Sequence, residues 1–195
     1  MMTSHLPLAE ASAWIRRFAP LIPEGEILDL ACGSGRHARF LAKEGHPVLA
    51  VDKDPDALSG AAGACITTLQ MDLEAHAADE QPQWPFEADR FAGIVVTNYL
   101  HRPLLPFLFA SLAPSGLLLY ETFASGNEHF GKPSNPAFLL QPGELLRFAM
   151  RFADQGARVV AYEDGYAETP KPAMVQRLCL IKGNAACGPK GLRLF

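Results

Sequence analysis

Three carboxylates and a glycine turn are the residues of this chain best suited to hold a polar ligand. Asp29 precedes the turn Ala31-Cys32-Gly33-Ser34-Gly35, Asp52 closes the apolar run Pro47 to Val51, and Asp72 follows Ile66 to Met71. Glycine lets a backbone approach a ligand closely and take a positive φ. A carboxylate placed as Asp52 is can accept from both hydroxyls of a ribose. One placed as Asp72 can accept from an adenine amino group, with Leu73 offering its backbone. Further along, Tyr99, His101 and Glu121 are groups able to donate, accept or move a proton. Each acid also has an ordinary use. Asp52 can open the Asp54-Pro55 turn, Asp72 can cap a helix, and Asp29 can bind backbone amides.

These residues need elements to position them, and the chain alternates short apolar runs with helical patterns. Ile27 to Leu30, Pro47 to Val51, Ile66 to Met71, Gly93 to Thr97 and Leu117 to Tyr120 read as strands. Arg36 to Glu44, Asp56 to Ala64, Leu104 to Leu112 and Gly143 to Phe152 read as the helices between them, with a further helix over Leu8 to Leu21. Continuous apolar runs suit strands buried on both faces, and strands separated by helices suggest a mostly parallel sheet. No helix separates the last two strand candidates, Arg158 to Tyr162 and Val175 to Ile181, so they are expected to form an antiparallel hairpin. The ligand candidates therefore lie at carboxyl ends of strands, where open α/β sheets bind ligands. Ala113-Pro114-Ser115-Gly116 reads as a turn, residues 124–140 as an irregular loop and residues 184–195 as a tail.

A chain of 195 residues with 49% hydrophobic and 19% charged residues fits one globular domain, residues 1–195. The net charge of -4 demands no basic nucleic-acid face. Arg16, Arg17, Arg36, Arg39 and Lys43 could share a side, and a solvated helix face accounts for them more simply. Cys32, Cys65, Cys179 and Cys187 form no metal-type spacing and read as free thiols of a reducing compartment. Neither a signal peptide nor a membrane span is evident, so the cytoplasm is expected. No metal site is expected.

Gly33-Ser34-Gly35-Arg36-His37-Ala38 also fits the looser dinucleotide fingerprint, so a nicotinamide or flavin cofactor stays open on glycine spacing alone. The companion acids shift the balance. Ile27 to Gly35 resembles the first motif of the class I S-adenosylmethionine-dependent methyltransferases, in which an acidic residue precedes a G-x-G turn. Val51-Asp52 with Asp54-Pro55 is similar to their second motif, and Asp72 to their third. Asn98 to His101 is similar to their segment after the fourth strand, and Leu112 to Leu117 to their helix-to-strand turn. The short chain and small N-terminal helix look most like the tellurite-resistance type. Two departures stand out: Phe91-Ala92-Gly93 where many relatives have Phe-Asp, and no Asn/Asp-Pro-Pro-Tyr/Phe segment after the fourth strand.

The resemblance implies a Rossmann-like, doubly wound seven-stranded sheet, mostly parallel with an antiparallel last strand and helices on both faces. It implies S-adenosylmethionine as cofactor, S-adenosylhomocysteine as product, and Asp29, Ala31, Gly33, Gly35, Asp52, Lys53, Asp72, Leu73, Asn98 and Tyr99 as the cofactor-binding residues. The expected activity is methyl transfer to a small-molecule acceptor, with His101 and Glu121 as acceptor-side groups and residues 124–140 as a lid. A nicotinamide-dependent oxidoreductase and a non-catalytic cofactor-binding module are the alternatives.

Overall fold

The structure, a computed structural model, describes residues 10–75 and 84–183. The expected tail over 184–195, Cys187 and the first residues of the N-terminal helix lie outside them. Five helices and seven strands follow in chain order: α1 (Ala13–Phe18), β1 (Ile27–Leu30), α2 (Arg36–Lys43), β2 (Val48–Asp52), α3 (Pro55–Ser59), β3 (Ile66–Gln70), β4 (Phe91–Thr97), α4 (Leu105–Ser111), β5 (Leu112–Phe123), α5 (Glu144–Met150), β6 (Arg158–Ala167) and β7 (Ala173–Ile181). The strands form one sheet in the order β3-β2-β1-β4-β5-β7-β6. The pairs among β1 to β5 are parallel, and β7 runs antiparallel to both β5 and β6. The expected Rossmann-like α/β sheet is thus observed, with the last described strand, β7, inside the sheet and β6 at its edge.

Alternation along each strand sends successive side chains to opposite faces. Leu28, Leu30, Ile94, Val96, Leu118 and Tyr120 pack with α4 and α5, while Ile27, Val95, Leu117 and Leu119 pack with α1, α2 and α3. The helices satisfy this because their apolar residues recur on one side: Ala38 and Leu41 in α2, Leu105, Leu108 and Phe109 in α4, Leu145, Phe148 and Ala149 in α5. By the same alternation Asp29, Thr97 and Glu121 face the α1–α2 side.

Two expectations are corrected. Residues 113–116 are not a free turn: they form a bulge within β5, between the pairs Phe91↔Leu112 and Gly93↔Leu117, with Ser115 at φ 68°. The β6–β7 hairpin is also longer than its apolar runs, because exposed and half-exposed residues out to Ala167 and Ala173 still pair. β4 ends level with Glu121 and Arg177, so the β6–β7 ladder continues four residues, about 13 Å, past that level. No helix among the described residues is long and apolar enough to cross a membrane. Cys32, Cys65 and Cys179 are free thiols.

Candidate functional site

The turn after β1 is built to be close to something. Ala31, Gly33 and Gly35 take φ of 53°, 54° and 76°. At Gly35 an added Cβ would lie 2.5 Å from the Cβ of Ala61, so only glycine allows α2 to start this close to the segment after α3. At Gly33 an added Cβ would meet no atom, leaving the space above that backbone open. Asp52 holds the turn from the next strand: its Oδ2 accepts the Gly33 amide at 2.7 Å and its Oδ1 the Asp54 amide at 3.0 Å. The ordinary role foreseen for Asp52 and a ligand role are therefore compatible, since each carboxylate oxygen keeps a second lone pair.

A cavity of about 280 Å³ opens at the carboxyl ends of β1, β2 and β3 and is lined by Leu30, Ala31, Val51, Asp52, Lys53, Met71, Asp72, Leu73, Glu74 and Tyr99. Six residues anticipated from sequence meet here: Ala31, Asp52, Lys53, Asp72, Leu73 and Tyr99. Asp72 accepts the Glu74 amide at 3.0 Å, a local turn that fixes its carboxylate at the rim. Tyr99 bonds the Glu74 side chain, and burial, followed by that carboxylate, pushes its phenol well above the usual range. Tyr99 is consequently a donor here, not a base. Its carbonyl is fixed by the Tyr120 hydroxyl at 2.9 Å.

Asp29 is not in this lining. It lies beneath the turn at 1% exposure, with Oδ2 accepting the Ala38 amide at 2.9 Å. Among the described residues its Oδ1 is buried without a hydrogen-bond partner. Burial pushes the carboxyl up to about 7 against the opposing pull of the Ala38 amide and Arg36. A buried acceptor left unbonded is costly, so it marks a place where a donor is wanted.

Asn98, also outside the lining, is exposed at φ 55° and ties β4 to β5 through its amide and the Glu121 carbonyl at 2.9 Å. His101 starts the 3₁₀ turn Arg102–Leu104, with its carbonyl accepting the Leu104 amide. Glu121, 9% exposed, is engaged: Oε2 accepts from Arg177 Nε at 2.6 Å, and Arg177 reaches Glu163 at 2.8 Å. Arg102 forms a two-pronged pair with Glu144, at 2.7 and 3.0 Å, and also holds the carbonyls of Ala137 and Leu139. The segment 124–140 is anchored rather than loose. Ala124 and Leu140 form a bridge, and Asn127, 2% exposed, donates to the Pro133 carbonyl and accepts the Met174 amide. None of its residues lines the cavity.

Sequence reasoning passed over Glu74, Met71 and His37. Glu74 was legible as the acid two places after Asp72. His37 was legible as the polar residue four places before Leu41 on the apolar side of α2.

Residues 2–158 match a family described as a methyltransferase domain, and the chain belongs to that family. A relative, the uncharacterized methyltransferase YodH of Bacillus subtilis, is 31% identical over 122 residues, which are 57% of this chain and 48% of that protein. The chain spans about half the length of the curated relatives it matches. Among solved structures, the fold is similar to that of TehB from Haemophilus influenzae, with TM-score 0.67, 18% identity, and 89% and 63% of the two chains covered. It is also similar to a S-adenosylmethionine dependent methyltransferase from Mesorhizobium loti, with TM-score 0.65, 17% identity, and 86% and 95% covered.

Proposed function

We propose that this protein binds S-adenosylmethionine and transfers its methyl group to a small-molecule acceptor, and that it is of the tellurite-resistance type. The observation that carries the cofactor reading is the pairing of the 280 Å³ cavity, with Asp52 and Asp72 on its wall, and the orphaned Oδ1 of Asp29 beneath the adjoining turn. Asp52 suits a ribose diol and Asp72 a purine amino group. Asp29 suits an ammonium, which would fill its missing hydrogen bond and favour its charged form. Support for the type comes from the small α1 and the fold likeness to TehB.

When bound, the cofactor supplies an electrophilic methyl group on a sulfonium. The protein's part is to orient and to exclude water, which in favourable cases lowers a barrier by roughly 7–11 kcal/mol. Gly33, Gly35 and Asp52 hold the turn, and Tyr99 closes the cavity wall. On the acceptor side we place His101, Glu121 and the 124–140 segment, whose exposed Phe130 packs on exposed Tyr166 at 5.2 Å between ring centres. Unchanged turnover in both His101→Ala and Glu121→Gln would remove those two residues from the acceptor site. Retained turnover after shortening Ser125 to Asn135 would remove the lid.

The test is thermal unfolding with S-adenosylhomocysteine, S-adenosylmethionine and NADH in parallel. A ligand selective for the native state stabilises it by about 2.7 kcal/mol at a hundredfold excess over Kd. Shifts with the first two and none with NADH are expected. A shift with NADH alone would overturn the proposal and make Asp52 part of a nicotinamide site. Cofactor shifts without turnover across an acceptor screen would favour a binding module.

A further inference from the structure

His37 sits on the first turn of α2, directly after the glycine turn, at 1% exposure. Its ring joins two other elements. Nε2 lies 3.3 Å from the Ser12 amide and Nδ1 lies 3.3 Å from Thr97 Oγ1. A backbone N–H can only donate, so Nε2 is the unprotonated nitrogen. The ring's one proton is then on Nδ1 and faces the Thr97 hydroxyl. Burial, followed by the neighbouring Arg36 charge, pushes the imidazole down to about 3, which keeps that neutral form in place.

The residues on either side of His37 continue the pattern. Arg36 donates to the Glu10 carbonyl at 3.4 Å, and Ala38 donates to Asp29 at 2.9 Å. Three successive residues of one turn thus hold Glu10, Ser12, Thr97 and Asp29. Ser12 is itself the N-cap of α1, its hydroxyl accepting the Trp14 amide at 3.1 Å. Through Trp14, Ile15 and Phe18 that helix is buried against the sheet.

We infer that His37 is a positioning residue for the methyl-donor site: it locks the N-terminal segment Glu10–Ser12 and the end of β4 onto the start of α2, so that the glycine turn and α1 act as one body. This rests on the cofactor reading given above. It predicts that donor affinity depends on α1, although no residue of α1 lines the cavity.

The test uses His37→Phe, which keeps an aromatic ring and deletes both bonds, and His37→Asn, whose amide can still reach Thr97. Two further variants separate the amide from the cap. Ser12 has φ -55°, which proline accepts, so Ser12→Pro removes the N–H, while Ser12→Ala removes only the hydroxyl. Amide exchange is followed in the ligand-free protein over 13–18 and 33–41, and S-adenosylhomocysteine binding and steady-state kinetics are measured beside it.

The expected result is about tenfold weaker binding in His37→Phe, the scale of one or two hydrogen bonds. KM for S-adenosylmethionine rises by the same factor and kcat moves little. His37→Asn recovers part of the loss. Ser12→Pro weakens binding several-fold beyond Ser12→Ala, and exchange accelerates selectively over 13–18 and 33–41. Unchanged local exchange in His37→Phe and Ser12→Pro, or equal acceleration everywhere, would overturn the inference. Absence of binding by the wild type would overturn the cofactor reading instead, and the exchange experiment tells the two failures apart.

Discussion

The two halves of the sheet treat their polar groups differently. In the β1–β2–β3 half, carboxylates stand at strand ends with spare capacity: among the described residues Asp52 and Asp72 bond backbone amides, and Asp29 keeps one oxygen with no partner. In the β5–β7–β6 half, the charges answer one another. Glu121 and Glu163 share Arg177, Arg102 is paired with Glu144, and Lys182 with Asp89. Gln176, fully buried, is bonded at both ends of its amide, to Leu145 and Gln141. The first half holds unmet hydrogen-bonding capacity for a ligand, and the second is a satisfied scaffold. A stability cost tolerated at one place is the physical mark of a site.

The contrast breaks most sharply at Gly35. Gly35→Ala combines a left-handed φ with a Cβ 2.5 Å from Ala61, and is expected to cost about 2–4 kcal/mol in urea unfolding and to abolish S-adenosylhomocysteine binding. Asp29→Asn should separate function from stability. Binding is expected to weaken by about 10–100-fold in calorimetry, the scale of a charged hydrogen bond. The ligand-free variant should be the more stable protein at pH 8. The sign follows from a native carboxyl near 7 against an ordinary 3.8. The native state favours the protonated form, so the wild type keeps its full stability below about pH 4 and loses it as the pH rises through 7. The gap between the two proteins should therefore widen from pH 4 to 8 and then level off, and an invariant gap would show that Asp29 does not bear the cost.

Asp52→Ala releases the Gly33 amide and removes the proposed diol acceptor, with an expected tenfold loss of affinity or somewhat more, measured by the same calorimetry. In the satisfied half the effects should be smaller and of another kind. Glu121→Gln is expected to leave S-adenosylhomocysteine affinity within about twofold and to lower stability by about 1 kcal/mol, because Arg177 keeps Glu163 as a partner and lies partly in solvent. A large affinity loss there would erase the distinction between the halves.

Much of the first half was legible in the sequence because its signals are local. Pro47 to Val51 reads as a strand since it is a continuous apolar run, and Asp52 follows it directly. The crevice was less legible. Asp29 was grouped with Asp52 and Asp72 at one opening, yet alternation along β1 turns it toward α2, beneath the glycine turn. In the second half the signals are long-range. Asn127 bonds Pro133 and Met174, Arg102 finds Glu144 forty-two residues on, and Glu121 finds Arg177 on the neighbouring β7. The Pro114-Ser115-Gly116 string looks like any turn, and only the pairing of Leu112 and Leu117 with β4 shows it to be a bulge.

The insertion of β7 between β5 and β6 has a consequence for how the chain is made. Synthesis runs from the N-terminus, and a domain generally folds as a unit once its residues have emerged. Here the Leu117–Phe123 edge of β5 stays unpaired until residues 173–181 have left the ribosome, and among the described strands β6 has no partner before then. Such an edge is a template for wrong pairing. β7 is thus the keystone of the described sheet, and a chain cut before Ala173 keeps the β5 edge open to wrong pairing.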